Sequence, residues 1–146
     1  MIRPYADEDL EELLDVWYRA SVPAHSFLPE DFFAFERRQI AERWLPISET
    51  LVYETAGRVV GFVSLIGTEV GGIFVDPDHQ RSGVGTALLD AARDIHPVLE
   101  LSVFAANMMG RRFYEAYGFE EVGRGIEEDT GQPEIRLRFE RHESRA

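Results

Sequence analysis

Cysteine is absent from this 146-residue chain, and so is lysine. Without cysteine there is no disulfide and no thiolate metal site, and acyl transfer must do without a cysteine nucleophile. No run approaches the roughly 20 apolar residues of a membrane span, so no membrane partner is expected. Met1–Tyr5 leads straight into charged sequence, the pattern of a chain without a signal peptide. A cytoplasmic location is expected. All fifteen basic residues are arginine, set against 27 acidic ones, for a net charge of −12. A surface this acidic argues against nucleic acid as a partner. It would draw cationic molecules such as a polyamine or an aminoglycoside-like amine, although solubility, a high-GC genome or salt adaptation accounts for the charge more simply. The four histidines and many carboxylates show no ligand spacing such as H-E-x-x-H, so no metal is expected.

What is present fits a single domain, residues 1–146, with one real core. Arg141–Ala146 reads as a charged, frayed tail. Ile2–Tyr5 reads as a short strand. Asp7 is a plausible N-cap for an amphipathic helix from about Asp7 to Ala20, with Leu10, Leu13, Leu14, Trp17 and Tyr18 at 3–4 residue spacing. Pro23 is expected to break it. Pro29-Glu30-Asp31 opens a second helix that ends near Pro46, where Phe32, Phe33 and Trp44, like Trp17, have the spacing of core positions. Glu49–Thr55 and Arg58–Ile66 form a hairpin around Ala56-Gly57, and Glu69–Val75 is the next strand. A helix from Gly83 to about Ile95 presents Val84, Leu88, Ala91 or Ala92, and Ile95 on one face. The strand Val98–Phe104, a helix from about Asn107 to Tyr117, and strands near Glu120–Arg124 and Glu134–Glu140 complete the chain. The pattern is α/β (α+β) with a mixed sheet: antiparallel hairpins precede one β-α-β crossover.

That crossover carries the most informative stretch, Gln80-Arg81-Ser82-Gly83-Val84-Gly85-Thr86. It follows the run Gly72-Ile73-Phe74-Val75 and the break Asp76-Pro77-Asp78. Strand, glycine turn and helix start together make a phosphate cradle, because unpaired backbone N–H groups and the positive end of the helix dipole converge there. Arg81 adds a cation at the rim. The dinucleotide fingerprint G-x-G-x-x-G is incomplete, and there is no Gly-Lys-Ser/Thr. The pattern instead resembles the acetyl-CoA pyrophosphate loop of the GCN5-related N-acetyltransferase (GNAT) superfamily. Asn107-Met108-Met109-Gly110-Arg111-Arg112-Phe113-Tyr114-Glu115-Ala116-Tyr117-Gly118-Phe119 resembles the second signature of that family, in the family's order and spacing. Trp17 with Ala24-His25-Ser26-Phe27-Leu28 resembles a subgroup of small bacterial and archaeal YjaB-like enzymes.

The resemblance implies a mostly antiparallel sheet of about seven strands flanked by about four helices. The fourth and fifth strands, Glu69–Val75 and Val98–Phe104, should splay apart to admit the pantetheine arm of acetyl-CoA as an added strand. It implies cofactor contacts from Ile73, Phe74, Val75, Gln80, Arg81, Ser82, Gly83, Val84, Gly85, Thr86, Asn107, Arg111 and Tyr114. Transfer to an amine in a ternary complex needs deprotonation, close approach, oxyanion stabilisation and a protonated leaving thiolate. Tyr114 is the expected general acid, a phenol of pKa about 10 facing a thiolate of about 8.5. Glu69 is the candidate base; His25 and ordered water are alternatives. The Ile73–Val75 N–H groups would stabilise the oxyanion. Gly71-Gly72 would widen the acceptor cleft or seat the bulge that splays the sheet. Trp17, His25 and Phe27 would contact the acceptor, a small-molecule amine or a peptide N-terminus. A monomer or a homodimer fits the family. The rival readings are a non-catalytic acyl-CoA sensor, and an interaction protein in which the glycine turn is only structural.

Overall fold

Alternating apolar residues build the strands, and both faces of the sheet they form are covered. The computed structural model describes residues 1–140; the tail expected to fray, 141–146, lies outside them. The elements are β1 (Ile2–Pro4), α1 (Leu10–Ala24), α2 (Glu30–Gln39), β2 (Glu49–Thr55), β3 (Arg58–Ile66), β4 (Glu69–Val75), α3 (Val84–Ile95), β5 (Val98–Phe104), α4 (Met108–Tyr117), β6 (Glu120–Ile126) and β7 (Pro133–Glu140). They make one seven-stranded sheet in the order β1-β2-β3-β4-β5-β7-β6. Every pairing is antiparallel except β4–β5.

Successive side chains of a strand face opposite sides, and β3 shows the result. Phe62 joins a core with Leu13, Val16, Trp17 and Phe33 under α1 and α2. Val63 and Leu65 join a second core with Leu88, Leu89, Leu101 and Phe119 under α3 and α4. At roughly 25 cal/mol per Å2 of buried apolar surface, these two layers supply the main driving force for folding.

β4 and β5 pair only at Glu69 and Glu100; beyond that point they diverge. The register explains the bend. Ser64 of β3 faces Gly72, but the next residue, Leu65, faces Val70, so Gly71 is the extra residue of a bulge on β4. A bulge bends its strand and increases the local twist. The two glycines therefore seat the bulge that opens the sheet.

Several sequence expectations need correction. α1 continues through Pro23 to Ala24. Pro23 lies in the last turn, where its missing N–H costs one bond, and the His25 N–H still reaches the Ser21 carbonyl (2.8 Å). Asp7 does not cap the helix. Residues Asp7–Asp9 form a 3-10 turn, and the Asp9 carboxylate accepts from the Ala6 N–H (2.9 Å) and from two Arg3 nitrogens. The second helix ends at Gln39, passing into a π turn at Ile40–Trp44 and a 3-10 turn at Leu45–Ile47. On α3 the packed stripe is Val84, Leu88, Leu89 and Ala92, while Ile95 in the terminal turn is exposed.

Candidate functional site

The divergence of β4 and β5 opens a cavity of about 890 Å3. One half is walled by β4, β5, the glycine loop and α4, and the other by α1, α2, the π turn and the β6–β7 turn.

In the first half, the Asp76 N–H donates to the Val60 carbonyl (2.8 Å). By strand alternation the Ile73 and Val75 N–H and C=O groups then point the other way, into the gap. The Val75 carbonyl already accepts from Gln80 Nε2 (3.1 Å). Gly83 caps α3 with φ +89°, a left-handed conformation costly for any residue with a Cβ. The first helical bond runs from the Ala87 N–H to the Gly83 carbonyl, so the N–H groups of Val84, Gly85 and Thr86 have no partner within the helix. Space beside Gly83 is open, since a Cβ there would meet nothing within 4 Å. Arg81 lines the same rim with φ +64° and has no ion-pair partner among the described residues.

The loop is braced by a pair that sequence reasoning missed. Asp76 is 2% exposed; its Oδ1 accepts from the Asp78 N–H (2.9 Å) and its Oδ2 from Arg19 of α1. Arg19 also reaches Asp78 (3.1 Å). The two partners are 57 residues apart, which hides the pair from any reading of local spacing.

From α4, Tyr114 lines the cavity between Phe113 and Phe119. Its hydroxyl makes no hydrogen bond with any described residue, and burial pushes its phenol well above the ordinary value. Asn107 caps α4, its Oδ1 accepting from the Gly110 N–H (3.0 Å) while Nδ2 faces His25 Nε2 (3.4 Å). A Cβ on Gly110 would lie 2.6 Å from Asn107 Nδ2, so this geometry needs glycine there. The motif holds Gly110 in plain view, but its purpose shows only once Asn107 is placed. His25 Nδ1 pairs with Ser21 Oγ (2.9 Å). Because Asn107 Nδ2 is a donor, this network assigns the His25 proton to Nδ1 and leaves Nε2 as the acceptor. Burial lowers the His25 imidazole to about 4, so it is neutral at physiological pH.

The second half is apolar and acidic. Trp17, Phe32, Ile40, Trp44, Leu45, Phe62 and Ile66 line it, together with Glu36, Glu127, Asp129 and Glu134. Phe32 and Trp44, expected in the core, are partly buried wall residues. None of these four carboxylates pairs with a cation within 4 Å among the described residues. Burial pushes the Glu36 carboxyl up, and Asp129 and Glu127 push it further; burial and Glu127 do the same to Glu134.

The structure brings most of the expected residues together: Trp17, His25, Glu69, Ile73, Phe74, Val75, Gln80, Arg81, Gly83, Gly85, Thr86, Asn107 and Tyr114 all line the cavity. Ser82, Val84, Phe27 and Arg111 do not. The Ser82 hydroxyl donates to the His79 carbonyl. Val84 is buried in the core under α3. Phe27 packs edge-on against His25 and Phe104. Arg111 donates to the Ala105 carbonyl (3.0 Å) and so ties down the β5–α4 loop. Glu69 lines the cavity, but both its oxygens are held by Arg136 of β7, one at 2.6 Å.

An open helix start, free strand-edge groups and an unpartnered phenol fit a ligand with a phosphate, an amide-bearing arm and a reactive end. A family model described as an acetyltransferase (GNAT) domain matches residues 46–121. The chain is 29% identical over 134 residues to the peptidyl-lysine N-acetyltransferase YiaC of Escherichia coli, covering 91% of this chain and 92% of the relative. It is 32% identical over 133 residues to the peptidyl-lysine N-acetyltransferase YjaB of the same bacterium, covering 90% of each. The solution structure of apo-form YjaB superposes with a TM-score of 0.84 at 28% identity, covering 95% of this chain and 96% of that one. The PaiA N-acetyltransferase of Thermoplasma acidophilum, solved in complex with coenzyme A, shares the fold with a TM-score of 0.79 at 20% identity, covering 96% and 98%.

Proposed function

Because the chain belongs to the GNAT family of N-acetyltransferases, in its YjaB-like group, we propose that it moves the acetyl group of acetyl-CoA to the side-chain amine of a peptidyl lysine. The observation that carries this reading is one cavity with two unlike halves, and the Tyr114 hydroxyl lining it, unpartnered among the described residues. The first half offers what coenzyme A needs. Val84, Gly85 and Thr86 N–H groups with Arg81 would hold the pyrophosphate, and the β4 edge would pair with the pantetheine arm. The second half offers what an ammonium on an apolar stem needs: aromatic walls and carboxylates without a cationic partner. The relatives named above are peptidyl-lysine acetyltransferases, which supports lysine over the peptide N-terminus expected from the sequence.

When bound, acetyl-CoA supplies the activated thioester carbonyl. The amine nitrogen would attack that carbon, and Tyr114 would give its proton to the sulfur leaving it. Its raised pKa keeps the phenol protonated and available. The Ile73 and Val75 N–H groups face the gap, where the oxyanion would form. The ammonium would lose one proton before attack, toward Glu36 or Glu134, whose carboxyls hold a proton more readily than usual, and a second after it, which through solvent restores the Tyr114 phenol. Neutral His25 places no positive charge beside the incoming ammonium.

Thermal shift with acetyl-CoA, CoA, ATP and NADH, followed by thiol release on adding a lysine peptide, tests the reading. A ligand at about 100 times its Kd stabilises by roughly 2.7 kcal/mol. A shift with acetyl-CoA and CoA alone, then turnover with the peptide, is the expected outcome. No shift with either would remove the cofactor reading. A shift without acetylation of any lysine or small amine would favour the sensor.

A further inference from the structure

Glu69 sits where the sheet comes apart. It is the one β4 residue paired with β5, opposite Glu100, and the adjoining Glu100 N–H donates to the Thr68 carbonyl (2.9 Å). From there its carboxylate reaches past β5 to Arg136 of β7, which faces Ser102 in the neighbouring register. Arg136 Nη1 donates to Glu69 Oε2 (2.6 Å) and Nη2 to Oε1, the two-point match of a planar guanidinium to a carboxylate. Arg136 also contacts Ser102 Oγ (3.3 Å) and Glu100 (3.5 Å), both on the strand between them. Three strands are therefore stapled at the last point before the gap opens.

We propose that the Glu69–Arg136 pair is a clasp: it positions β4 against β5 and β7, and so sets the width of the gap. The inference rests on the reading of that gap as the pantetheine site, and it replaces the base role expected for Glu69. A base must turn a carboxylate oxygen toward the amine, and here both oxygens are turned onto the Arg136 guanidinium. A clasp needs only fixed geometry. An error of about 1 Å in placing a reacting group can cost on the order of 100-fold in rate. Both side chains are about one-third exposed (39% and 34%), so the pair can be altered without emptying the core.

The experiment is amide hydrogen exchange at Glu100, read in the ligand-free protein, alongside CoA affinity and kcat/KM. The variants are Glu69→Gln, Arg136→Gln and the charge-reversed Glu69→Arg/Arg136→Glu, with the Val63 amide in the core as the control for global unfolding. The clasp predicts faster Glu100 exchange in both single variants, by about tenfold or more, with Val63 unchanged. CoA binding and kcat/KM should fall about 10- to 100-fold in each, with the pH profile keeping its shape. The reversed pair should recover most of both losses. Unchanged Glu100 exchange in the single variants overturns the proposal. So does a reversed pair no better than the singles, or a Glu69→Gln variant that alone loses turnover together with one limb of the pH profile. The exchange readout does not depend on which ligand the gap holds. A wild type that binds no CoA but shows the exchange pattern would refute the proposed function and leave the clasp standing.

Discussion

Replacing Tyr114 by Phe removes one oxygen and little else. The ring keeps its neighbours, Phe113 and Phe119, at centroid distances of 5.4 and 5.5 Å. The hydroxyl has no hydrogen-bond partner among the described residues, so its loss forfeits no bond and strands no partner. The melting temperature should therefore move by no more than about a degree or two, upward if at all. Catalysis should respond differently. A positioned general acid contributes about 100- to 10,000-fold, which is about 2.7–5.4 kcal/mol of barrier at 1.36 kcal/mol per tenfold. The expected variant binds CoA with unchanged affinity, melts like the parent, and releases thiol at least about 100 times more slowly with a lysine peptide. Stopped thiol-release assays under saturating acetyl-CoA, paired with thermal melts, read all three quantities. A kcat within twofold of the parent would falsify the general-acid assignment. A melting temperature lower by several degrees would show instead that the hydroxyl is bonded in the native state. Because burial raises the phenol, the wild-type rate should show no alkaline limb from Tyr114 at or below about pH 10, its ordinary pKa.

Three further outcomes are expected. The His25 imidazole has its pKa lowered from 6.5 to about 4, so the unfolded chain binds the extra proton between those values and stability falls as pH drops from about 6.5 to 4. At 1.36 kcal/mol per unit this is at most about 3.4 kcal/mol, and urea titrations of His25→Gln should show a shallower acid slope than the parent; equal slopes would refute the burial argument. Gly110→Ala gains about 1 kcal/mol of helix propensity and forfeits about the same in the Asn107 cap, so its melting temperature should barely move while CoA affinity and turnover both fall, and wild-type kinetics would show that Asn107 has room to shift. Asp76→Ala removes a buried carboxylate that caps the loop and holds Arg19; a loss of about 1–3 kcal/mol in denaturant titration is expected, with weaker CoA binding, and an unchanged CoA affinity would mean that the cradle holds its shape unaided.

The half of the cavity that holds the glycine loop was legible because backbone geometry writes itself into sequence. Glycine at 83, where φ is positive, and Asn107 at a helix cap each leave a residue-type signature at fixed spacing. The gap between β4 and β5 was expected from the family resemblance, and of the two roles open to Gly71-Gly72 the register shows the bulge. The acceptor half was not. Glu36, Glu127, Asp129 and Glu134 come from α2 and the β6–β7 region, about a hundred residues apart, and in a chain this acidic each looks like any solvated carboxylate. Glu69 does begin β4 and line the cavity, but its partner was not foreseen, because Arg136 is 67 residues away. Pro23 misled because a proline's effect depends on its distance from the helix end, which periodicity alone does not give. Trp44 was taken for core because the wide turn carrying it has no composition of its own.

That wide turn, Ile40–Trp44, holds one more residue than an α-helical path would need. Deleting a single residue there would return the turn to an α-helical path with the chain on either side still in phase, so the cavity wall that Ile40 and Trp44 supply would be rebuilt locally. No strand and no residue of the phosphate cradle would have to move. On the proposed function, insertion or deletion at this turn is a one-step route to reshaping the acceptor wall while the glycine loop stays as it is.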